Sequence, residues 1–527
     1  MKSSVYLKCF CVFLLWMLNS SNALRILVVF PMSSKSHNIL GQGVVNNFLQ
    51  AGHEVVFFTA FPRKTSAKNL TEIDCSPIVS QFKKQADKSE NFKLKNLVGK
   101  TNIADSIDFM LFVAEFHRMF LEFAPVNNFL SDPKEKFDLA ILEWFFSESI
   151  AGIPAVFECP FIWIASTEFH GLLLRVIDEI PNPSYSADLF STNTPPFTFW
   201  ERAVELITAC WRHCVANFII APYEKSLYNR IFPVIAEKRG VTIASYEEAA
   251  YNASMLLVNT HPAIGTPFKL AQNVKCIGGY HIDKNAKTLP EDLQKIMDES
   301  KHGVVYFSMG SNLQSKDMSI KMKTDLVKMF GTLKEDVIWK FEEDMDNVPL
   351  NLHLVKWAPQ QSILAHPKIK LFVTHGGQLS TTEAIHYGVP LVGLPMFGDQ
   401  YVNMQSVVKK GFGLMLKLSE DFTEDLKTAI EKVLGKPEYK NKAKYLSAVY
   451  HDHMVTPGDE LVYWAEHVVK TKGARHLRSP ASVVSWYQKM YLDLAAVLIF
   501  IVIFLYVFAK ISVKVWKKKI TYKVKKY

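Results

Sequence analysis

Between Trp357 and Gln400 the chain reads WAPQQSILAHPKIKLFVTHGGQLSTTEAIHYGVPLVGLPMFGDQ. An apolar run of strand type, Ile369 to Thr374, ends in His375-Gly376-Gly377, and a helix is expected to begin near Ser380. Backbone amides at a helix N-terminus attract phosphate oxygens, and glycines in front of them allow close approach. His375 at the same lip adds a donor for a diphosphate, and Trp357 offers an indole face on which a flat base can stack. Each residue also has a structural reading. Ser380-Thr381-Thr382-Glu383 has the spacing of a capping box, Asp399-Gln400 that of a loop pair, and Trp357 that of a core residue. Their joint occurrence, in this order on the turns of one sheet, is far more specific than any of them alone.

A second candidate lies near the start of the chain. His37 follows an apolar run, Arg25 to Phe30, and stands where a helix is expected to begin. The positive end of a helix disfavours imidazolium, so the ring is expected to stay neutral and able to take a proton from a hydroxyl. The structural alternative is a histidine that caps the helix.

The elements that must position these groups alternate. Arg25 to Phe30, Glu54 to Thr59, Phe137 to Leu142, Pro160 to Ala165, Gly303 to Phe307, Val337 to Lys340, Ile369 to Thr374 and Pro390 to Leu394 read as strands, with helix-length segments between them. This predicts an α/β chain with two doubly wound parallel sheets. The expected layout is a signal peptide at 1–23, a first domain at 24–280, a linker at 281–300 and a second domain at 301–456. Closing helices at 457–490, a membrane helix at 491–509 and a basic tail at 510–527 complete it.

Charged residues are 21% and the hydrophobic set 49% of 527 residues, which excludes disordered and polytopic membrane classes. The formal charge of +9 is a topology signal: without Lys2, Lys8 and the eight tail lysines, residues 24–509 sum to −1. No nucleic-acid partner is expected. The lysines after the apolar run Leu494 to Ala509 place the tail in the cytosol and the domains in the lumen, a single-pass type I arrangement. Lys523 and Lys525, fifth and third from the end, resemble a dilysine signal for retrieval to the endoplasmic reticulum. Cys75, Cys159, Cys210, Cys214 and Cys276 are too few for a disulfide framework, and Cys210 with Cys214 is read as helix packing. Asn69 and Asn252 begin glycosylation sequons.

The Trp357–Gln400 segment resembles the signature of the UDP-glycosyltransferases, and the layout is similar over the whole chain. His476-Leu477-Arg478 and Trp486-Tyr487-Gln488 before the anchor resemble the animal membrane-bound branch, insect in type. The resemblance implies a GT-B fold, with an acceptor-binding first domain and a UDP-sugar-binding second domain facing a cleft. It implies that Trp357 stacks uracil, Gln360 contacts the nucleoside, and His375, Gly377 and Ser380 hold the diphosphate. Glu383 is implied for the ribose, and Asp399 with Gln400 for the sugar. Ser308, Gly310 and Ser311 match the family's small-residue loop at the same diphosphate. His37 becomes the catalytic base, and Glu143 stands where the family places an orienting Asp. One departure is Leu379, where many relatives carry Asn.

The implied reaction is inverting transfer of a hexosyl group, from UDP-glucose or UDP-glucuronate, to a hydroxyl of a small lipophilic alcohol or phenol. It serves detoxification or metabolite conjugation. UDP-sugar is a co-substrate; no cofactor and no metal are expected, the amides and His375 taking the cation's role. The aromatic segments Ala104 to Phe129 and Phe197 to Phe232 are expected to line an apolar pocket, lie on a membrane or form core. Homo-oligomerisation stays open. The rival readings are a non-catalytic membrane-anchored binder of lipophilic ligands and a nucleotide-sugar epimerase.

Overall fold

The computed structural model describes residues 23–88, 107–177, 179, 181–191, 193–310, 315–396 and 398–524. The signal peptide up to residue 22, Ser311, and the tail lysines Lys525 and Lys526 lie outside the described residues. The strands are β1 (Arg25–Val29), β2 (Glu54–Thr59), β3 (Leu70–Asp74), β4 (Leu139–Trp144), β5 (Phe161–Ala165), β6 (Met255–Val258) and β7 (Val274–Cys276). A second set follows: β8 (Val304–Ser308), β9 (Asp336–Lys340), β10 (Leu352–Val355), β11 (Ile369–Thr374), β12 (Leu391–Gly393) and β13 (Gly413–Met415).

They form two parallel sheets, ordered β3-β2-β1-β4-β5-β6-β7 and β10-β9-β8-β11-β12-β13. In each sheet the chain starts in the middle, winds outward one way and then returns to wind the other way. The strand order therefore reverses between β1 and β4 and between β8 and β11. A crevice opens at such a switch point, beyond the carboxyl ends of the strands, because the two connections leave on opposite faces. His37 follows β1 and Glu143 lies near the end of β4, whereas Gly310 follows β8 and His375 follows β11. Topology alone thus brings the sequence-predicted residues to two crevices.

Both sheets are buried on both faces. Leu27 and Val29 point into one core and Ile26 and Val28 into another, while Val305 and Phe307 oppose Val304 and Tyr306 in the second sheet. The apolar runs without polar alternation follow from this double burial. The strands whose ranges are not given from sequence are β3, β6, β7, β10 and β13. Four of these, β3, β7, β10 and β13, are sheet edges, short or half-exposed, where the periodic signal is weakest.

Two connections differ from expectation. The stretch 281–300 contains the helix Glu291–Glu299, whose Leu293 and Met297 pack in the core of the second sheet. The helix Pro457–Lys470 returns to the first sheet, burying Leu461, Ala465 and Val468 beside Ile26 and Val28. Cys210 and Cys214 are exposed rather than packed, which corrects the reading of them as helix packing. Asp138 accepts a hydrogen bond from the Arg25 amide at 2.8 Å and has a structural role at the base of β1.

A separate compact unit comprises Ser479–Tyr527. It is dominated by a 33-residue helix, Leu492–Val524, which continues without a break through the tail lysines as far as the described residues reach. At 1.5 Å per residue it is about 50 Å long, enough to cross a bilayer.

Candidate active site

Ser34 begins the helix Lys35–Gln50, its hydroxyl accepting from the His37 amide at 3.4 Å. Ser34, not His37, is therefore the cap, and the histidine is free to turn its ring toward β4. There His37 Nδ1 meets Glu143 Oε1 in a short hydrogen bond. Glu143 is fully buried, and its Oε2 has no protein partner. The imidazole edge rests on the Phe145 ring at a centroid distance of 4.6 Å. Phe146 follows in a left-handed conformation, φ 53°, which a bulky side chain adopts only under constraint. That twist turns its ring onto His170, 5.6 Å away, and Phe190, 6.2 Å away. The result is a wall of aromatic rings leading away from His37.

Two histidines in this region are buried and held neutral. Burial pushes His117 down to about 3, and His117 Nδ1 lies 2.9 Å from the Ser149 hydroxyl and 3.1 Å from that of Ser147. Burial likewise lowers His170 to about 3. Unfolded histidine titrates near 6.5, so between these values the unfolded chain binds more protons and folding loses stability as pH falls. The thermal midpoint is expected to drop as pH goes from about 7 to about 5, and to drop less in His117→Asn, whose amide oxygen can accept from the same hydroxyls without titrating. Equal drops in the two proteins, followed by calorimetry, would rule out this contribution.

On the facing domain the helix Gln378–Tyr387 starts two residues before the expected position, with Gly377 as its cap. Ser380 thus lies inside the first turn, and the capping-box reading of Ser380 to Glu383 is overturned. Glu383 instead accepts from Gln360 Nε2 at 2.7 Å and Gln361 Nε2 at 3.2 Å, and His281 Nε2 lies 3.4 Å away. Gln360 also reaches Ser380 Oγ at 3.3 Å. His375 is wedged between two glycines. A Cβ at Gly310 would lie 2.5 Å from His375 Cε1, and one at Gly377 would lie 2.7 Å from Nε2. Burial first, then the Lys340 charge, pushes His375 down to about 4, so it offers an N–H rather than a positive charge. Ser308 is buried and its hydroxyl accepts from the Gly310 amide at 3.3 Å.

The two halves face one another. Asp399 is raised by burial, opposed by Asn403 and backbone amides, and is pulled down by His37 across the cleft. Asn403 Nδ2 lies 2.9 Å from Asp399 Oδ2 and 3.0 Å from the Gly376 carbonyl, linking the two donor-site turns. Gln400 is buried, its Oε1 accepting from the Met396 amide at 2.8 Å. Trp357 is 51% exposed, and Lys35 of the first domain holds its ammonium 4.1 Å from the indole centroid. Trp357 is therefore not a core residue. Leu379 packs against the core of the first domain, so this departure has an apolar contact in place of a polar one.

Several residues at the site carry little or no signal in the sequence. Asn403 had a legible signal, standing one helical turn after Asp399. Lys340, buried at the end of β9 and 2.9 Å from the Gly310 carbonyl, was marked only as a lysine closing an apolar strand. Lys35, His281 and Glu168 carried no signal. Glu168 is pushed up to about 7 by burial, with Lys410 opposing and Asp399 adding. The expectation of no metal takes an Asp-x-Asp pattern to be missing, but Asp344 and Asp346 have that spacing. Asp344 is 91% exposed and pairs with Lys356 at 2.9 Å in the loop after β9. Asn69 and Asn252 are both exposed, and Asn252 accepts from Arg478 at 2.7 Å.

Solved structures share this architecture. The kitacinnamycin glycosyltransferase aligns with a TM-score of 0.53 at 16% identity, over 84% of this chain and 98% of that one. The calicheamicin glycosyltransferase CalG4 aligns with a TM-score of 0.52 at 14% identity, over 85% and 99%. At such identities they show the fold, which is GT-B. Among sequences, UDP-glucosyltransferase 2 of Dactylopius coccus is 30% identical over 497 residues, 92% of this chain and 91% of that protein. UDP-glucuronosyltransferase 2B14 of Oryctolagus cuniculus is 34% identical over 348 residues, 64% of this chain and 63% of that protein. The family model for UDP-glucoronosyl and UDP-glucosyl transferases matches residues 25–526. With that match spanning both sheets and the cleft between them, the chain belongs to the UDP-glycosyltransferase family, enzymes that transfer sugar from a UDP-sugar.

Proposed function

We propose that the chain transfers a hexosyl group, from UDP-glucose or UDP-glucuronate, to a hydroxyl of a small lipophilic alcohol or phenol, with inversion at the anomeric carbon. The reading is carried by the His37–Glu143 pair, which opens toward Asp399 across the cleft and is walled by Phe145 and Phe146. His37 takes the acceptor proton, the oxygen attacks the anomeric carbon, and the bond to UDP breaks. Charge gathering on the diphosphate is met by amides at Gly377 and Ser380, by the His375 N–H and by the turn Ser308 to Gly310. Trp357 and Gln360 take the nucleoside, Glu383 the ribose, and Asp399 with Gln400 the sugar hydroxyls. No metal enters these steps.

The same reading anchors the chain in the endoplasmic reticulum membrane by the apolar part of Leu492–Val524, up to residue 509, with the basic tail in the cytosol, the domains in the lumen and sugars on Asn69 and Asn252. The test is UDP release with UDP-glucose, UDP-glucuronate, UDP-galactose and UDP-xylose, with and without a phenol. Release that requires the phenol and gives a β-glycoside is expected. Release without acceptor points to an epimerase or hydrolase, an α product overturns single displacement, and no release with any donor leaves the membrane-anchored binder.

A further inference from the structure

The helix Phe199–Val215 is built inside out. Past its first turn its carboxylate and guanidinium turn into the protein: Glu205 accepts from the Asp188 amide at 2.8 Å and Asn193 Nδ2 at 2.9 Å, and both Nε and Nη2 of Arg212 lie 2.9 Å from the Asp188 carboxylate. Its apolar residues turn out. Trp200, Val204, Ile207, Trp211 and Phe218 are 76, 54, 68, 58 and 76% exposed, and Cys214 is exposed among them. Steps of four and three residues place Trp200 through Cys214 within about 80° of the helix circumference. This is one continuous stripe, and the charges not buried between Phe199 and Ile219 are confined to its first turn: Glu201, tied to the Thr198 cap, and the exposed Arg202.

Water does not favour such an arrangement, so something covers the stripe. A second copy is a poor fit. From Trp200 to Phe218 the stripe is about 27 Å long and about 10 Å wide, which gives roughly 270 Å² per partner where stable complexes bury about 800 Å². A bilayer needs no complementary shape. Tryptophan and phenylalanine at both ends suit the headgroup boundary, and Arg202 can extend to the phosphates. The same chain carries the apolar helix Leu492–Val524, which holds its domains within reach of a bilayer. Behind the stripe, Arg212 stacks on Phe190 at 4.8 Å, and Phe190 continues through Phe146 and Phe145 to His37.

We propose that the face formed by Trp200, Val204, Ile207, Trp211, Cys214 and Phe218 lies on the surface of a lipid bilayer, in the plane of the headgroups. The inference rests on the membrane anchoring proposed above. The experiment uses the full chain with Cys9, Cys11, Cys210, Cys159 and Cys276 replaced by Ser and Cys75 buried, so that an environment-sensitive fluorophore is attached to Cys214. The control carries the fluorophore at Asp344→Cys, with Cys214 also replaced. Both are reconstituted in phosphatidylcholine vesicles containing nitroxide-labelled phosphatidylcholine.

Quenching at Cys214 is expected to exceed that at the control site by about fivefold, to be independent of the protein-to-lipid ratio, and to fall in Ile207→Asp, which puts a charge on an exposed position. Quenching equal to the control overturns the proposal. So does protection that vanishes on dilution of protein in lipid and comes with Cys214–Cys214 cross-links, which assigns the face to a second copy. Flotation of the full chain with vesicles reports on the anchor. Flotation without quenching sinks the stripe alone, and no flotation sinks both.

Discussion

Replacing His37 by Ala is expected to lower kcat by about a thousandfold while leaving UDP affinity within about twofold. The side chain is 12% exposed and touches Glu143 and Phe145, so its removal opens a small space at the cleft lining and leaves the fold intact. Its hydrogen bond to Glu143 and its ring contact with Phe145 both lie within the first domain. An interaction made only as the acceptor proton moves should therefore disappear from kcat, and UDP titration should report an intact donor site. The measurement is steady-state UDP release alongside UDP binding by calorimetry. A kcat within tenfold of the parent protein sinks the assignment of His37 as base, whatever the binding result.

The second large effect is expected at Glu143. Glu143→Gln keeps the shape of the side chain but offers an amide to His37 Nδ1. If the amide N–H points at Nδ1, the proton moves to Nε2 and the ring can no longer accept there, and no carboxylate is left to steady the imidazolium. A loss in kcat of about a thousandfold follows, with a thermal midpoint close to that of the parent. Glu143→Asp withdraws the carboxylate by about one C–C bond, roughly 1.5 Å, and is expected to lose about tenfold, because the backbone of β4 is fixed between β1 and β5 and cannot follow. Since both residues serve one proton transfer, His37→Ala/Glu143→Gln should be no slower than His37→Ala. Additive losses in that double variant would show that Glu143 acts apart from His37.

Much of this is legible in the amino-acid sequence. Eight apolar runs were read as strands because double burial removes polar alternation, and the signature turns followed from where those strands end. What escaped was decided by long-range contact. Ser380 to Glu383 has the local spacing of a capping box, but Gly377 begins the helix, and Gln360 and Gln361, from another element, take the Glu383 carboxylate. No pattern around His281 announces that it meets that same carboxylate, and nothing near Lys35 announces that it covers Trp357 from the other domain. Cys210 and Cys214, four apart with no second ligand pair, read as helix packing rather than a metal site, and an apolar helix ordinarily buries its apolar side. This one is reversed by Asp188, which lies far enough upstream that no helical period connects it to Arg212.

The return of the chain to its first sheet has a mechanical consequence. The protein crosses between its two halves twice, once near Gly279 to Lys287 and again near His451 to Gly458, and both crossings border a single cavity of about 590 Å³. Two pins along one edge make a door rather than a pair of beads on a string. Joined twice along that edge, the halves stay together there whatever motion they make elsewhere. A break in either crossing alone leaves the door hung on the other pin.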